Sequence, residues 1–78
     1  MKVLLYGPLA DAIGTQTDAQ VGEGCSIAEL REKLIDTHPA AAADLLRSRA
    51  IVGRDVVGND YRPSALDVVE FLPPVSGG

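Results

Sequence analysis

The sequence predicts an α+β fold, a mixed sheet packed on one main helix. Three observations carry this. Strand-like runs lie at both ends of the chain, at Val3-Leu4-Leu5-Tyr6 and Val68-Val69-Glu70-Phe71-Leu72. Between them a long amphipathic helix opens on a Ser-x-x-Glu signature at Ser26-Ile27-Ala28-Glu29, and further short strands follow it. The third observation is the composition: 46% of residues are apolar and only 4% aromatic, so Val, Leu and Ile must fill the core.

The first run, residues 3–6, is apolar throughout and reads as a central strand covered on both faces. Gly7-Pro8 ends it. Leu9 and Ile13, four apart, fit one helical turn stopped by Gly14. Residues 15–21 alternate loosely and are rich in Thr, as expected of a more exposed strand pairing back on the first. After the turn Gly22-Glu23-Gly24, the Ser26 hydroxyl and Glu29 carboxylate form a capping box. Ile27, Leu30, Leu34 and Ile35 or His38 then recur on one helix face, with Arg31, Glu32, Lys33 and Asp36 largely outward. Pro39 ends that helix and can start a second, short one through Leu46.

Ile51-Val52-Gly53 and Val56-Val57 read as two short strands around Arg54-Asp55, followed by a Gly58-Asn59-Asp60 turn and the loop 61–64. The last strand covers residues 67–72, with Val69 and Phe71 on one face and Val68, Glu70 and Leu72 on the other. The expected organisation is one domain over residues 1–72 and an extended tail over residues 73–78.

Size and charge exclude several classes of function. Seventy-eight residues are expected to make one domain, without a second to build a cleft. The net charge is −4: residues 1–46 hold three basic and seven acidic side chains, the rest four of each, so no basic cluster is available for nucleic acid. The apolar start is too short for a signal peptide, and nothing approaches a membrane helix. One cysteine, Cys25, makes no internal disulfide, and a soluble cytoplasmic protein is expected. Cys25 precedes a helix cap without a second Cys or nearby His, and reads as structural. His38 suits a helix end, and no metal-ligand spacing or phosphate-cradling loop is present.

Chemistry is expected at the tail Pro73-Pro74-Val75-Ser76-Gly77-Gly78. Two prolines lack N–H donors and fix φ, so the ladder ends and the chain leaves extended. Residues 75–78 then reach roughly 13 Å at about 3.3 Å per residue. Gly77 and Gly78 carry no Cβ, so a channel as wide as the backbone admits them. The Gly78 carboxylate needs activation, most simply as an acyl-adenylate, before it accepts an amine, a thiol or sulfur. Leu72 and Val75 are expected on the surface flanking the exit, Phe71 and Leu72 are the expected partner-binding residues, and Arg47, Arg49, Arg54 and Arg62 form a polar rim. Leu72 packing under a loop is the alternative.

These residues call up a family. The ββαββ order ending in Gly-Gly resembles the ubiquitin-like β-grasp, and Phe71-Leu72-Pro73-Pro74-Val75-Ser76-Gly77-Gly78 looks like the small subunit of molybdopterin synthase, in the MoaD/ThiS sulfur-carrier family. Tyr6-Gly7-Pro8-Leu9-Ala10-Asp11-Ala12-Ile13-Gly14 is also similar to that family. Two departures stand out: Gly53 where the family usually has Asn, and Ala65-Leu66 where an Asp-Gly turn is common. The resemblance implies a protein that is not catalytic alone and binds no cofactor. An E1-like adenylating enzyme consumes ATP to charge Gly78, and a sulfurtransferase supplies sulfur for a thiocarboxylate. The tail, threaded through Gly77, then enters the large synthase subunit, in a heterotetramer, and donates sulfur to a cyclic pyranopterin to form the molybdopterin dithiolene. A carrier for thiamine or cysteine biosynthesis, a modifier conjugated to lysines, and an inert interaction module are the alternatives.

Overall fold

The computed structural model describes residues 1–74. Five strands form one mixed sheet in the order β2-β1-β5-β3-β4, with β1 Lys2–Leu5, β2 Gln16–Asp18, β3 Arg49–Val52, β4 Asp55–Val57 and β5 Val68–Leu72. The two terminal strands pair in parallel, Lys2 with Val68 through Leu5 with Phe71. Every other pairing is antiparallel. The last strand therefore occupies the middle of the sheet, held on both sides.

The helices are α1 Pro8–Ile13, α2 Ile27–Thr37 and α3 Ala42–Arg47, with a 3-10 turn Pro39–Ala41 leading into α3. The capping box forms as expected: Ser26 Oγ accepts from Glu29 N–H at 3.2 Å, and Ser26 N–H donates to Glu29 Oε1 at 2.9 Å. The N-terminal turn of α2 is further satisfied by loop carbonyls, since Ile27 N–H donates to Tyr61 O and Ala28 N–H to Asn59 O. Ile27, Leu30 and Leu34 pack in the core with Val3, Leu5, Leu9, Leu45, Val69 and Phe71. A cap contributes about 1 kcal/mol and each buried large side chain about 2. Packing on the sheet thus holds α2 in place, and the cap fixes where it starts.

Two expectations need correction. Residues 3–6 are not covered on both faces: Val3 and Leu5 are buried, Leu4 is half-buried on the open face, and Tyr6 is exposed. All three helices lie on one face, so a β1 residue alternates between core and open surface, and β5 takes the central place. Arg31 does not point outward but is 9% exposed. It lies four residues after Ile27 and three before Leu34, on the buried stripe of α2.

Candidate functional site

The candidate site is the end of β5, where the chain leaves the sheet. Within this strand Val69 and Phe71 are both 0% exposed, while Val68, Glu70 and Leu72 face the open side. The Phe71 ring is gripped from beneath by Arg31, whose guanidinium carbon is 5.0 Å from the ring centroid. Arg31 Nε donates to Asn59 Oδ1 at 3.0 Å, and Nη1 donates to Ser48 Oγ at 2.8 Å and to Leu45 O. Burial pushes this guanidinium's pKa down from its ordinary value, which is high enough that the group stays charged at neutral pH. One cation thus joins α2, α3, the 58–61 turn and β5.

On the open face, Tyr6 Oη donates to Glu70 Oε1 at 2.6 Å, linking the end of β1 to β5. That hydrogen bond, ahead of burial and the Glu70 charge, raises the Tyr6 pKa above 10.0. Leu72 is half-buried and lies opposite Arg49 in the β3–β5 register. Pro73 and Pro74 follow, both exposed, and Pro73 rests against the backbone of Gly7. The end of β5 is therefore pinned from the core side, the open side and the neighbouring strand.

The expected site residues separate into three groups. Val75, Ser76, Gly77 and Gly78 lie outside the described residues. Pro73, Pro74 and Leu72 stand together at the strand end, as expected of an exit. Phe71 needs correction as a docking residue: its ring is fully buried under α2, because its register with Leu5 places it on the core face. The arginine rim also divides. Arg49 is level with Leu72, and Arg47 is two residues away, bonded to Asp44 at 3.1 Å. Arg54 instead follows Gly53 at the other end of β3, and Arg62 donates to Gly24 O at 2.5 Å near the start of α2.

Cys25 is free and buried, and His38 caps the end of α2 through its backbone. Among the described residues no cluster of His, Cys, Asp and Glu could hold a metal ion, and no helix is long and apolar enough to cross a membrane. Two residues at this site escaped the sequence reading. Gly7-Pro8 reads as a strand terminator, with no sign that Gly7 also receives Pro73. Arg31 did carry a signal, its spacing from Ile27 and Leu34, which its charge obscured.

A family model described as the ThiS family matches residues 3–78. Among solved structures, SAMP1 from Haloferax volcanii is 19% identical with a TM-score of 0.79, covering 99% of this chain and 97% of that one. A second crystal structure, of H. volcanii small archaeal modifier protein 1, is 16% identical with a TM-score of 0.80 and covers 95% of each chain. The solution structure of the H. volcanii HVO 2177 protein is 17% identical with a TM-score of 0.83, covering 99% of this chain and 84% of that one. At these identities the likeness shows the fold, a ubiquitin-like β-grasp. No curated protein matches the sequence.

Proposed function

Since the chain belongs to the ThiS family of ubiquitin-like sulfur carriers, we propose that it is the sulfur-donating small subunit of a molybdopterin synthase, with Gly78 as the carrying residue. The observation behind this reading is the exit of β5: a central strand fixed on three sides ends at Leu72 and continues into two exposed prolines. The Pro-Pro-Val-Ser-Gly-Gly ending favours a pterin as acceptor, on its resemblance to molybdopterin synthase small subunits.

The steps follow from carboxylate chemistry. A Gly78 oxygen attacks the α-phosphorus of ATP on an E1-like adenylating enzyme, and pyrophosphate leaves. The terminal sulfur of a persulfide on a sulfurtransferase then displaces AMP from the acyl carbon, and a second thiol cleaves the resulting acyl disulfide, leaving the thiocarboxylate and a disulfide on the sulfurtransferase. Sulfur is a softer and stronger nucleophile than carboxylate oxygen, and the tether raises its effective concentration at the acceptor. In the large synthase subunit the sulfur bonds to a side-chain carbon of the cyclic pyranopterin as that carbon's oxygen substituent leaves, and water then cleaves the acyl C–S bond to restore the Gly78 carboxylate; two such transfers build the dithiolene. The domain supplies no catalytic group of its own; Leu72 and Arg49, paired at the end of β5, form the docking flank, and Val75, Ser76 and Gly77 serve for insertion into the partner.

A second reading is a protein modifier joined to lysines through Gly78. The two structural neighbours described as small archaeal modifier proteins favour it. Intact mass spectrometry of protein from its own cells separates the two. Replacement of one oxygen by sulfur at Gly78 supports the carrier, and Gly-Gly branches on target lysines support the modifier. An unmodified mass in cells making the pterin rejects both.

A further inference from the structure

We propose that Gly7 is a positioning residue for the tail, a floor on which the Pro73 ring rests and which fixes the direction in which the chain leaves the domain. Its role in activation rests on the carrier reading; the seat itself stands on geometry. Gly7 has φ 61° and ψ −137°, the mirror image of extended backbone, which an L-residue adopts only with strain. Independently, a Cβ built on Gly7 would lie 3.2 Å from Pro73 Cγ, 3.7 Å from Cδ and 3.8 Å from Cβ. The ring thus lies over the bare face of Gly7, in the space a side chain would need.

The floor itself is rigid. The Gly7 carbonyl accepts from Ala10 N–H at 3.0 Å and Asp11 N–H at 3.3 Å, and Pro8 begins α1 at once. On its other side Tyr6 is tied to Glu70. Pro73, two residues beyond the Leu5–Phe71 pair, meets this floor with its own φ fixed by the ring. A tail leaving in a preset direction loses less freedom on entering a partner's cleft. Without the seat, ordering about one more residue raises KM for activation roughly tenfold. The reaction after binding is untouched, so kcat is unchanged.

The test measures two quantities: the nuclear Overhauser contact between Gly7 Hα and the Pro73 ring protons, and Gly78-dependent ATP–pyrophosphate exchange by the adenylating enzyme of the same cells. We expect the contact in the wild-type chain and its loss in Gly7→Ala. Gly7→Ala and Pro73→Ala should each raise KM about tenfold at constant kcat. Pro74→Ala, which costs tail stiffness but removes a ring that is not among the atoms nearest Gly7, should raise KM by less than Pro73→Ala does. If Gly7→Ala fails to fold, the Pro73→Ala and Pro74→Ala comparison decides, because both rings are exposed. A wild-type chain lacking the contact overturns the seat. Equal KM increases for the two proline variants overturn its role, as does a folded Gly7→Ala with wild-type KM. Exchange absent from the wild type while the contact is present overturns the carrier reading and leaves the seat supported.

Discussion

The Arg31 guanidinium lies 5.0 Å from the Phe71 ring centroid, so the main helix places a buried cation directly against the strand that leads to the tail. No acidic side chain pairs with it among the described residues; its partners are Leu45 O, Ser48 Oγ and Asn59 Oδ1. Truncation takes the charged donor from Ser48 Oγ and vacates the space against the Phe71 ring, while Leu45 O keeps its two Ser48 donors and Asn59 lies exposed. Arg31→Ala should therefore destabilise the fold by about 3 kcal/mol, read as a lower urea midpoint at unchanged m. Arg31→Lys should recover less than half, because an ammonium cannot reproduce the planar fork. A loss under about 0.5 kcal/mol for Arg31→Ala would show that the network contributes nothing to stability.

Phe71 and Leu72 are adjacent in sequence and opposite in role. Phe71→Ala empties a fully buried site and should cost about 3–5 kcal/mol. Leu72 is half-buried on the open face, and Leu72→Ala should cost about 1 kcal/mol while weakening partner docking. Paired urea unfolding curves check the difference. Equal losses would contradict the core and open-face assignment of β5.

Acid should act through the capping box. Backbone hydrogen bonding from Ser26, followed by its hydroxyl, holds the Glu29 carboxyl below its ordinary value of 4.5. A lowered folded-state value means stability that is present above 4.5 and lost as pH falls through the folded value. Glu29→Gln cannot ionise, so the stability difference between wild type and variant should shrink as pH is lowered from about 6 to about 3. A difference that is constant over that range would remove Glu29 as a source of acid sensitivity.

Much of this fold is legible in the sequence because local and tertiary demands agree. The Ser26–Glu29 box marks the start of α2, and the alternation at 68–72 correctly assigns the buried and open faces of β5. The failures occur where a distant partner decides. Arg31 has a surface residue's charge, and only Leu45 O, Ser48 and Asn59, brought in from elsewhere, make its burial affordable. An apolar run at 3–6 resembles a strand covered on both faces, but the helices all pack on one side. At the site, the prolines mark the exit by their own geometry, whereas the Gly7 seat depends on Pro73, sixty-six positions away along the chain. The arginines divide between the two ends of the sheet because β3 runs antiparallel to β5, a pairing their spacing does not encode.

Gly53, where the resemblance noted in the sequence leads one to expect Asn, has a backbone conformation that suits both residues. Gly53 has φ 67°, in the left-handed region of the turn between β3 and β4, where Gly has no steric cost and Asn is the side chain best tolerated. A Cβ at Gly53 meets nothing within 4 Å among the described residues, unlike one at Gly7, so only conformational strain is at stake. Gly53→Ala should then cost about 1 kcal/mol, and Gly53→Asn less than half of that. Thermal unfolding of both variants checks the order. An alanine variant as stable as the wild type would mean that the hairpin does not need a left-handed residue there, and the exchange of Asn for Gly would lose its backbone rationale.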